Sequence, residues 1–553
     1  MAPYYPERTP ETWALGELQP PSTPHAISVS YPTWDNVVRW MRREPCIADQ
    51  VKGGYPRFFI HNIIQKLSQE VLARLQTTDT NCMIFPSVAS ASRCKQFLDE
   101  KASPACIRTV SFRMASSSPE GKLQEETRWA SFEVVAFPSD LQPDAMAFWR
   151  QSGDGISSRH AEYALSQLGR LEAIEDGTRC HPPPPNSAAR PCTAVGLKSS
   201  EAEKMFIQSF IAELATSDKR EKLTAHDVFL FPKGLSAIYA VSRALRSMDL
   251  CGQDSIVVYG FPYSETVRCI ELSGWSKFTL HGHGSKEELD QLETSLANGE
   301  RISALFCELP SNPQLKSPDL PRLRALADQY KFVIACDETI GSLVNVDVLP
   351  YVDIVMTSLT KIFSGASDVM GGSVIVNPQS SYYDRIYDSI ASVWEDTYFP
   401  GDVITLAQNC KDVVSRVKKC NNSAEKIANL INSHPSVDRV NYPCLVPTKH
   451  LYENCKRKDG GYGFLLSIIF HHPEDAIKFY DNLHVAKGPS LGTNFTIALP
   501  YAVLSHFREL EWAASFDVPE HIVRISVGLE DEEELLKVVS HALDCAGLME
   551  FYI

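Results

Sequence analysis

Residues 332–338 read FVIACDE and residues 353–359 read DIVMTSL, and each stretch is a short apolar run that ends in polar residues. Runs of this length between turn residues are typical of fully buried strands. Three earlier runs are of the same kind: VFLFP at 228–232, SIVVYG at 255–260 and ALFCELP at 304–310. Helical patterns such as LSAIYAVSRALRSM and DLPRLRALADQY lie between successive runs. This alternation predicts an α/β fold with a mostly parallel central sheet and helices on both faces.

The remaining chain differs from this pattern in composition. Residues 114–128 are polar and Ser-rich, and residues 176–200 contain four consecutive prolines, which exclude helix and favour an extended conformation. After about residue 400, a long helical stretch precedes YGFLLSIIF and VRISVGLEDEEELLKVVSHAL, which suggests a smaller α+β domain. We predict an N-terminal extension at 1–130, an arm and Pro-rich linker at 131–200, a large domain at 201–395 and a C-terminal α+β domain at 396–553.

Composition narrows the function classes. The chain has 553 residues, and Lys+Arg 53 against Asp+Glu 68 gives a net charge of −15, which argues against a general nucleic-acid binder. No apolar run approaches the ~20 residues that a membrane span needs, and the first residues do not resemble a secretory signal. The 15 cysteines are scattered with no CxxC pair, so we expect reduced thiols and no metal site. These features predict a cytoplasmic protein without nucleic-acid or membrane partners.

A ligand site is expected where the strands of the predicted sheet end. In open α/β sheets, ligands bind beyond the carboxyl ends of the strands. In this sequence, those ends carry five residues that suit a bound cofactor or substrate: Gly234, Tyr259, Asn312, Asp337 and Lys361. We therefore expect them to share one site.

Lys361 follows an apolar strand, with hydroxyl residues Ser358 and Thr360 at −3 and −1. Hydroxyls beside a cation suit a bound phosphate, and a lysine in such a setting can form a Schiff base. Asp337 also ends an apolar strand, where a carboxylate suits a protonated pyridine nitrogen. Gly234 opens a helix directly after a strand, which suits a phosphate. Taken singly, a solvated lysine, a helix-capping aspartate and a turn glycine would explain the same residues.

Together these segments resemble the PLP-dependent enzymes of cysteine and methionine metabolism, the cystathionine γ-synthase/β-lyase family. The resemblance covers the chain from about residue 150, and the N-terminal stretches HAISVSYPTWDNVV and GYPRFF are similar to the extension of fungal cystathionine γ-synthases. The segments that carry it are SLTK with SGASDVMGGSVIVN, YGFPY, ELPSNPQL, CDET, SLGTN and VRISVGLED. It implies the PLP-dependent transferase fold type I.

The resemblance also implies roles for matching residues. Lys361 would hold pyridoxal 5′-phosphate (PLP) and move protons, Asp337 would bind the pyridine nitrogen, and Tyr259 would stack on the ring and could assist catalysis. The phosphate would be held by Gly234, Leu235, Ser358 and Thr360, and the substrate by Asn312, Ser490 and Arg524.

In this family, an arm from the neighbouring subunit supplies a Tyr-x-Arg motif to the phosphate. The segment GISSRHAE offers Ser157 and Arg159, so we expect Arg159 to bind the cofactor without the tyrosine. Two further departures from the family pattern are Ala366, where many relatives carry His, and Phe261–Pro262 in place of Gly-Thr. The shared arm implies a homodimer or homotetramer.

The implied activity is PLP-dependent γ-substitution on an O-acyl-L-homoserine, with cysteine as the nucleophile and cystathionine as the product, in methionine biosynthesis. The same chemistry with a carbon or amine nucleophile would form a C–C or C–N bond for secondary metabolism, and this activity stays open. A cystathionine lyase and a non-catalytic homologue also stay open. The expected partners are small amino-acid substrates.

Overall fold

The computed structural model describes residues 13–51, 53–76, 79–102, 106–114, 128–175, 178–181, 200–217, 222–250, 252 and 254–547. The four prolines and most of the Ser-rich stretch lie outside the described residues. Among the residues described, no helix is long and apolar enough to cross a membrane.

The seven-stranded central sheet confirms the predicted fold class. Its strand order is β10-β9-β11-β12-β13-β14-β8; β10, β9, β11, β12 and β13 pair in parallel, whereas β14 is antiparallel to both neighbours. Its strands are β8 Val228–Phe231, β9 Ser255–Tyr259, β10 Lys277–His281, β11 Ala304–Glu308, β12 Val333–Asp337, β13 Ile354–Thr357 and β14 Gly372–Val376. Strands β10 and β14 were not predicted, because β10 is a half-polar edge strand and β14 begins at the second of two consecutive glycines.

Helices cover both faces of this sheet because its strands are apolar on both sides. Alternate residues of one strand enter different cores: Ile334 and Cys336 pack in one, whereas Val333 and Ala335 pack in the other. The covering helices are α7 Glu201–Ala215, α8 Gly234–Ser247, α9 Ser264–Leu272, α10 Lys286–Ala297, α11 Leu320–Tyr330 and α12 Tyr383–Val393.

The C-terminal part has a five-stranded sheet of its own, with the order β15-β16-β19-β18-β17, and is the predicted smaller α+β unit. The predicted long helix is interrupted by a 3₁₀ turn at Cys410–Asp412 and therefore forms two helices. The elements are α13 Pro400–Asn409, α14 Val413–Asn432, β15 Val437–Asn441, α15 Lys449–Cys455, β16 Leu465–Phe470, α16 Pro473–Asn482, β17 Ala486–Lys487, β18 Ile497–Pro500, α17 Tyr501–Ser505, α18 Leu510–Ser515, β19 Val523–Ser526 and α19 Glu532–Ala546.

The N-terminal residues form two different structures. Residues 13–61, which we call the N-terminal strap, include α1, whose Trp34 and Val37 pack into the core of the C-terminal part. The Tyr480 hydroxyl donates to Tyr31 O at 2.9 Å, and Trp34 N donates to Asp481 Oδ1 at 2.7 Å. The strap contains β1 Leu18–Gln19, β2 Ser28–Val29, α1 Trp34–Met41 and α2 Pro45–Ala48.

The residues after the strap form a separate three-layer unit, the N-terminal domain. Its antiparallel sheet has the order β3-β5-β4-β6-β7, with α3 and α6 on one face and α4 and α5 on the other. Its elements are α3 Asn62–Leu75, β3 Thr80–Phe85, α4 Val88–Asp99, β4 Arg108–Met114, β5 Phe132–Pro138, α5 Gln142–Ser152, α6 Ser158–Gln167, β6 Leu171–Glu175 and β7 Thr178–His181. Because β4 pairs with β5, the predicted boundary at residue 130 falls inside this sheet.

Asp353 is a buried carboxylate that joins β12, β13 and α11. Its Oδ2 accepts from Arg324 Nη1 at 2.9 Å and from Ile334 N at 2.8 Å, and its Oδ1 accepts from Ser380 Oγ at 2.6 Å. Arg324 also pairs with exposed Asp328 at 2.8 Å. The two carboxylates therefore share one arginine but differ in burial.

We expect Asp353→Ala to lower the free energy of unfolding by about 3–5 kcal/mol, because it leaves the largely buried guanidinium of Arg324 and the buried Ile334 N–H without this acceptor. The matched control, Asp328→Ala, should cost less than about 1 kcal/mol, because the Asp328 carboxylate is exposed to solvent. Urea unfolding of both variants beside the wild type measures the difference. Equal losses in the two variants would contradict the importance of the buried network.

Candidate active site

A cavity of about 150 Å³ lies at the carboxyl ends of the central strands, between the large and C-terminal parts of the chain. Most of the site residues predicted from the sequence line this cavity. These are Gly234, Leu235, Asn312, Asp337, Ser358, Thr360, Lys361, Ser490 and Arg524.

Lys361 lies in the turn after β13, where its N–H donates to Ser358 O at 3.2 Å and its carbonyl accepts from Gly365 N at 2.8 Å. Its Nζ donates to the hydroxyl of Tyr55 at 2.8 Å. Burial alone would raise the pKa of Tyr55, but the positive charges of Lys361, Arg57 and Arg524 outweigh it and lower this pKa. The pair is therefore a lysine amine beside a tyrosine that ionises more readily than usual.

Two carboxyl groups end adjacent parallel strands at the floor of the cavity, since Glu308 and Asp337 are paired in register. Burial raises the pKa of Asp337, and a hydrogen bond from Thr339 N at 2.9 Å partly offsets this. Burial and the charge of Asp337 raise the pKa of Glu308 to about 8. Glu308 also accepts from Tyr263 N at 2.5 Å. Glu308 therefore favours its neutral form at neutral pH.

Gly234 begins α8 directly below the cavity. A Cβ atom at this position would lie 2.7 Å from Ser358 Cβ, so only glycine allows the helix to approach the Lys361 turn this closely. The first-turn N–H groups of a helix have no intrahelical acceptors and suit a phosphate. Thr360 Oγ1 accepts from Gly371 N at 3.0 Å, which fixes the other side of this turn.

Arg524 forms the opposite wall from β19. Its Nη2 donates to Ser490 O at 2.8 Å and its Nη1 to Asn312 Oδ1 at 3.3 Å, and its Cζ lies 5.1 Å from the centre of the Tyr501 ring. Burial lowers the pKa of Arg524 to about 10, which still leaves it protonated at neutral pH. No ion pair of Arg524 is found among the described residues, and this wall suits a carboxylate.

Two of the predicted residues lie elsewhere. Tyr259 ends β9 on the same side as Val257, so its ring packs into the core and its hydroxyl donates to Ser285 O at 2.8 Å. Arg159 lies on α6, where Nη1 is 3.1 Å from Asp402 Oδ1 and Nη2 is 3.7 Å from Asp368 Oδ2. Neither side chain lines the cavity.

The residues that sequence reasoning missed are Tyr55, Arg57, Tyr263 and Glu308, all of which line the cavity. Tyr55-Pro56-Arg57 has the Tyr-x-Arg spacing and lies within GYPRFF, so a signal was present. In the structure it comes from the strap of the same chain. Tyr263 is four residues beyond Tyr259 and follows the end of β9, and Phe261 between them packs against Trp512 at 5.6 Å between ring centres.

The arrangement fits PLP. Lys361 would carry the cofactor, the Gly234–Ser358 cradle would hold its phosphate, and Asp337 would face its ring nitrogen. The ring of Tyr263, rather than that of Tyr259, would flank the pyridine. Among the described residues, no cluster of His, Cys, Asp or Glu side chains could hold a metal ion.

Comparisons with known proteins agree with this site. Residues 213–544 match the Cys/Met metabolism PLP-dependent enzyme family, and residues 63–157 match the fungal trans-sulfuration enzyme N-terminal domain. The chain is 47% identical to cystathionine gamma-synthase-like protein ankD of Aspergillus thermomutatus, over 98% of this chain and 96% of that protein. It is 37% identical to cystathionine gamma-synthase of Neurospora crassa, over 96% and 98%.

A solved structure shares the fold. The cystathionine gamma synthase of Xanthomonas oryzae pv. oryzae, in complex with aminoacrylate and cysteine, has 23% identity and a TM-score of 0.53, over 63% of this chain and 86% of that one. The prediction of PLP-dependent fold type I is thereby confirmed. The family matches over residues 213–544 and 63–157, together with the identity to the two fungal relatives, show that the chain belongs to the Cys/Met metabolism PLP-dependent enzyme family.

Proposed function

We propose that the chain catalyses γ-substitution on an O-acyl-L-homoserine with cysteine as the nucleophile, giving cystathionine. The observation that carries this proposal is the single cavity that joins Lys361, Asp337 and Arg524. The 37% identity to the Neurospora cystathionine gamma-synthase over 96% of the chain supports the reaction class.

The cavity would hold the amino acid by its two charged groups. Arg524 would bind the substrate carboxylate through its guanidinium, with the Ser490 hydroxyl and the Asn312 amide beside it. Ser490 Oγ is buried and has no hydrogen-bond partner among the described residues, so a substrate oxygen would satisfy it. The substrate amine would then lie near Lys361 and Tyr55.

The proton transfers would be divided between these two residues. Tyr55, with its lowered pKa, would take a proton from the incoming ammonium group. When bound, PLP supplies an electron sink that stabilises negative charge next to the amino group, and Asp337 would keep a proton on the ring nitrogen. Lys361 Nζ would remove the Cα proton, release it to solvent and then remove one Cβ proton. The bond between Cγ and the ester oxygen breaks and the acyl group leaves as a carboxylate, while the thiol gives its proton to solvent and its sulfur bonds to Cγ. Lys361 would then return a proton to Cβ and, after taking one from solvent, to Cα.

A second candidate is the same γ-substitution with a carbon or amine nucleophile. The supporting observation is the higher identity, 47% against 37%, to a relative described only as cystathionine gamma-synthase-like. A non-catalytic role is disfavoured by the complete set of buried polar groups around Lys361, which are costly to maintain without a ligand.

The deciding experiment supplies the PLP-loaded protein with O-acetyl- or O-succinyl-L-homoserine and cysteine, and identifies products by mass. We expect cystathionine. Consumption of the ester without use of cysteine would favour the second candidate. Lys361→Ala should abolish turnover and the covalent attachment of PLP. Lys316→Ala, which replaces a partly exposed lysine that pairs with Asp517, should keep both.

Tyr55→Phe should lower kcat/KM by about 10²–10³-fold, because it removes the proton acceptor beside Lys361. The wild-type profile of kcat/KM should fall as the pH drops through the pKa of Tyr55, since the protonated phenol cannot accept a proton. This acidic limb should be absent in Tyr55→Phe.

The control for this prediction is Tyr501→Phe, which removes a cavity hydroxyl whose pKa is raised by burial to about 12. That variant should keep the acidic limb, because Tyr501 stays protonated across the range. A wild-type pH profile in Tyr55→Phe would contradict the assignment.

We also propose that the protein assembles as a homodimer or homotetramer, as the family resemblance implies. Sedimentation velocity of the full chain measures this directly. A fully active monomer would contradict the proposal. Its activity would be explained by Tyr55, which the strap of the same chain supplies to the cavity.

A further inference from the structure

The N-terminal domain contributes directly to the wall of the active-site cavity. Helix α5 carries Trp149 and Arg150, and both side chains line the cavity beside the strap residue Arg57. Trp149 is 6% exposed and packs in the core of the N-terminal domain, so it holds this end of α5 in place. Arg150 therefore projects from a supported helix.

Among the described residues, the partner found for Arg150 is a carboxylate that it shares with a second arginine. Its Nε lies 3.6 Å from Glu265 Oε1, and Arg57 Nε lies closer to the same oxygen, at 2.9 Å. The Nε of Arg150 is buried and makes no hydrogen bond to the part of the chain that the structure describes. One carboxylate faces two guanidinium groups and Arg57 lies closer to it, so the charge of Arg150 has no close carboxylate of its own among the described residues.

This charge is separate from the group that would bind the substrate carboxylate. Arg524 stands with Asn312 and Ser490, whereas Arg57 donates to Ser505 O at 3.1 Å and lies 5.3 Å from the centre of the Tyr263 ring. If Arg524 binds the carboxylate and Tyr55 the amine, the rest of the substrate occupies the remaining space. Arg150 forms part of the wall of that space.

We infer that Arg150 is a specificity residue that binds a carboxylate on the group leaving or entering at Cγ. This inference rests on the proposed function and deepens it. Arg150 lines the cavity and its side chain is 42% exposed, so its guanidinium can offer two N–H donors to a carboxylate. An acetyl ester has no second carboxylate, so its binding would gain nothing from Arg150.

The first test measures binding without turnover. The PLP-loaded protein is titrated with L-2-aminoadipate, which has a distal carboxylate, and with L-norleucine, which lacks one, and the absorbance of the bound cofactor is followed. In Arg150→Gln we expect aminoadipate to bind about tenfold more weakly, because one charged hydrogen-bonded contact is lost. The affinity for norleucine should stay unchanged. Equal effects on both ligands, or none on either, would overturn the inference.

Two further variants separate specificity from folding. Arg150→Lys keeps the charge and should retain part of the preference for aminoadipate. Arg170→Gln removes an exposed arginine of the same domain that bonds Gln167 at 3.1 Å, and it should leave both affinities unchanged. If Arg150→Lys behaved as Arg150→Gln while both kept the wild-type melting temperature, a charge-based role would be wrong.

Steady-state kinetics then distinguishes the source of the carboxylate. In Arg150→Gln, a KM raised about tenfold for O-succinyl-L-homoserine, but not for O-acetyl-L-homoserine, identifies the leaving group. A raised KM for cysteine with the acetyl ester identifies the nucleophile. No effect on any KM would overturn the inference, whereas absence of all turnover in the wild type would refute the proposed function and leave the binding test valid.

Discussion

The hydrogen bond between Lys361 Nζ and Tyr55 joins residues 306 positions apart, and the geometry of the site depends on it. Lys361 is placed by the turn after a central strand, whereas Tyr55 has no secondary structure to direct it. Tyr55 reaches the cavity only because the strap on either side is anchored, by α1 in the core of the C-terminal part and by α3 in the N-terminal domain. The position of the contact between Lys361 and Tyr55 therefore depends on three parts of the chain: the central sheet, the C-terminal part and the N-terminal domain.

The same contact explains the electrostatics of the cavity. Desolvation would keep a buried tyrosine neutral, and it would also favour the neutral forms of Asp337 and Glu308. The surrounding cations oppose this effect at the tyrosine. The cavity thus holds acidic groups whose pKa values differ from those in water, lowered for Tyr55 and raised for Asp337 and Glu308. Groups with shifted pKa values allow a proton acceptor and a proton donor to be present at the same pH, which a reaction that both removes and returns protons requires.

Much of the site was predictable because parallel strands bring their carboxyl ends together. Asp337 and Lys361 each end an apolar run, so the order of the strands places them side by side. Tyr259 shows the limit of that inference: it also ends a strand, but the two-residue alternation directs its ring into the core. Tyr55 was missed for a different reason: a contact between distant loops has no periodicity in sequence, and only the Tyr-x-Arg spacing of Tyr55-Pro56-Arg57 pointed to it. Arg159 has the expected residue type, but its helix faces Asp402 instead.

The packing of the strap on the C-terminal part has a consequence for biosynthesis. Trp34 and Val37 emerge from the ribosome long before the helices on which α1 packs, because α16 and α17 belong to the last quarter of the chain. At 5–20 residues per second, roughly 25–100 s pass before the two can meet. During that interval the central sheet can already form, while the strap stays without its partner. The strap can thus bring Tyr55 to Lys361 only after the C-terminal part has been synthesised.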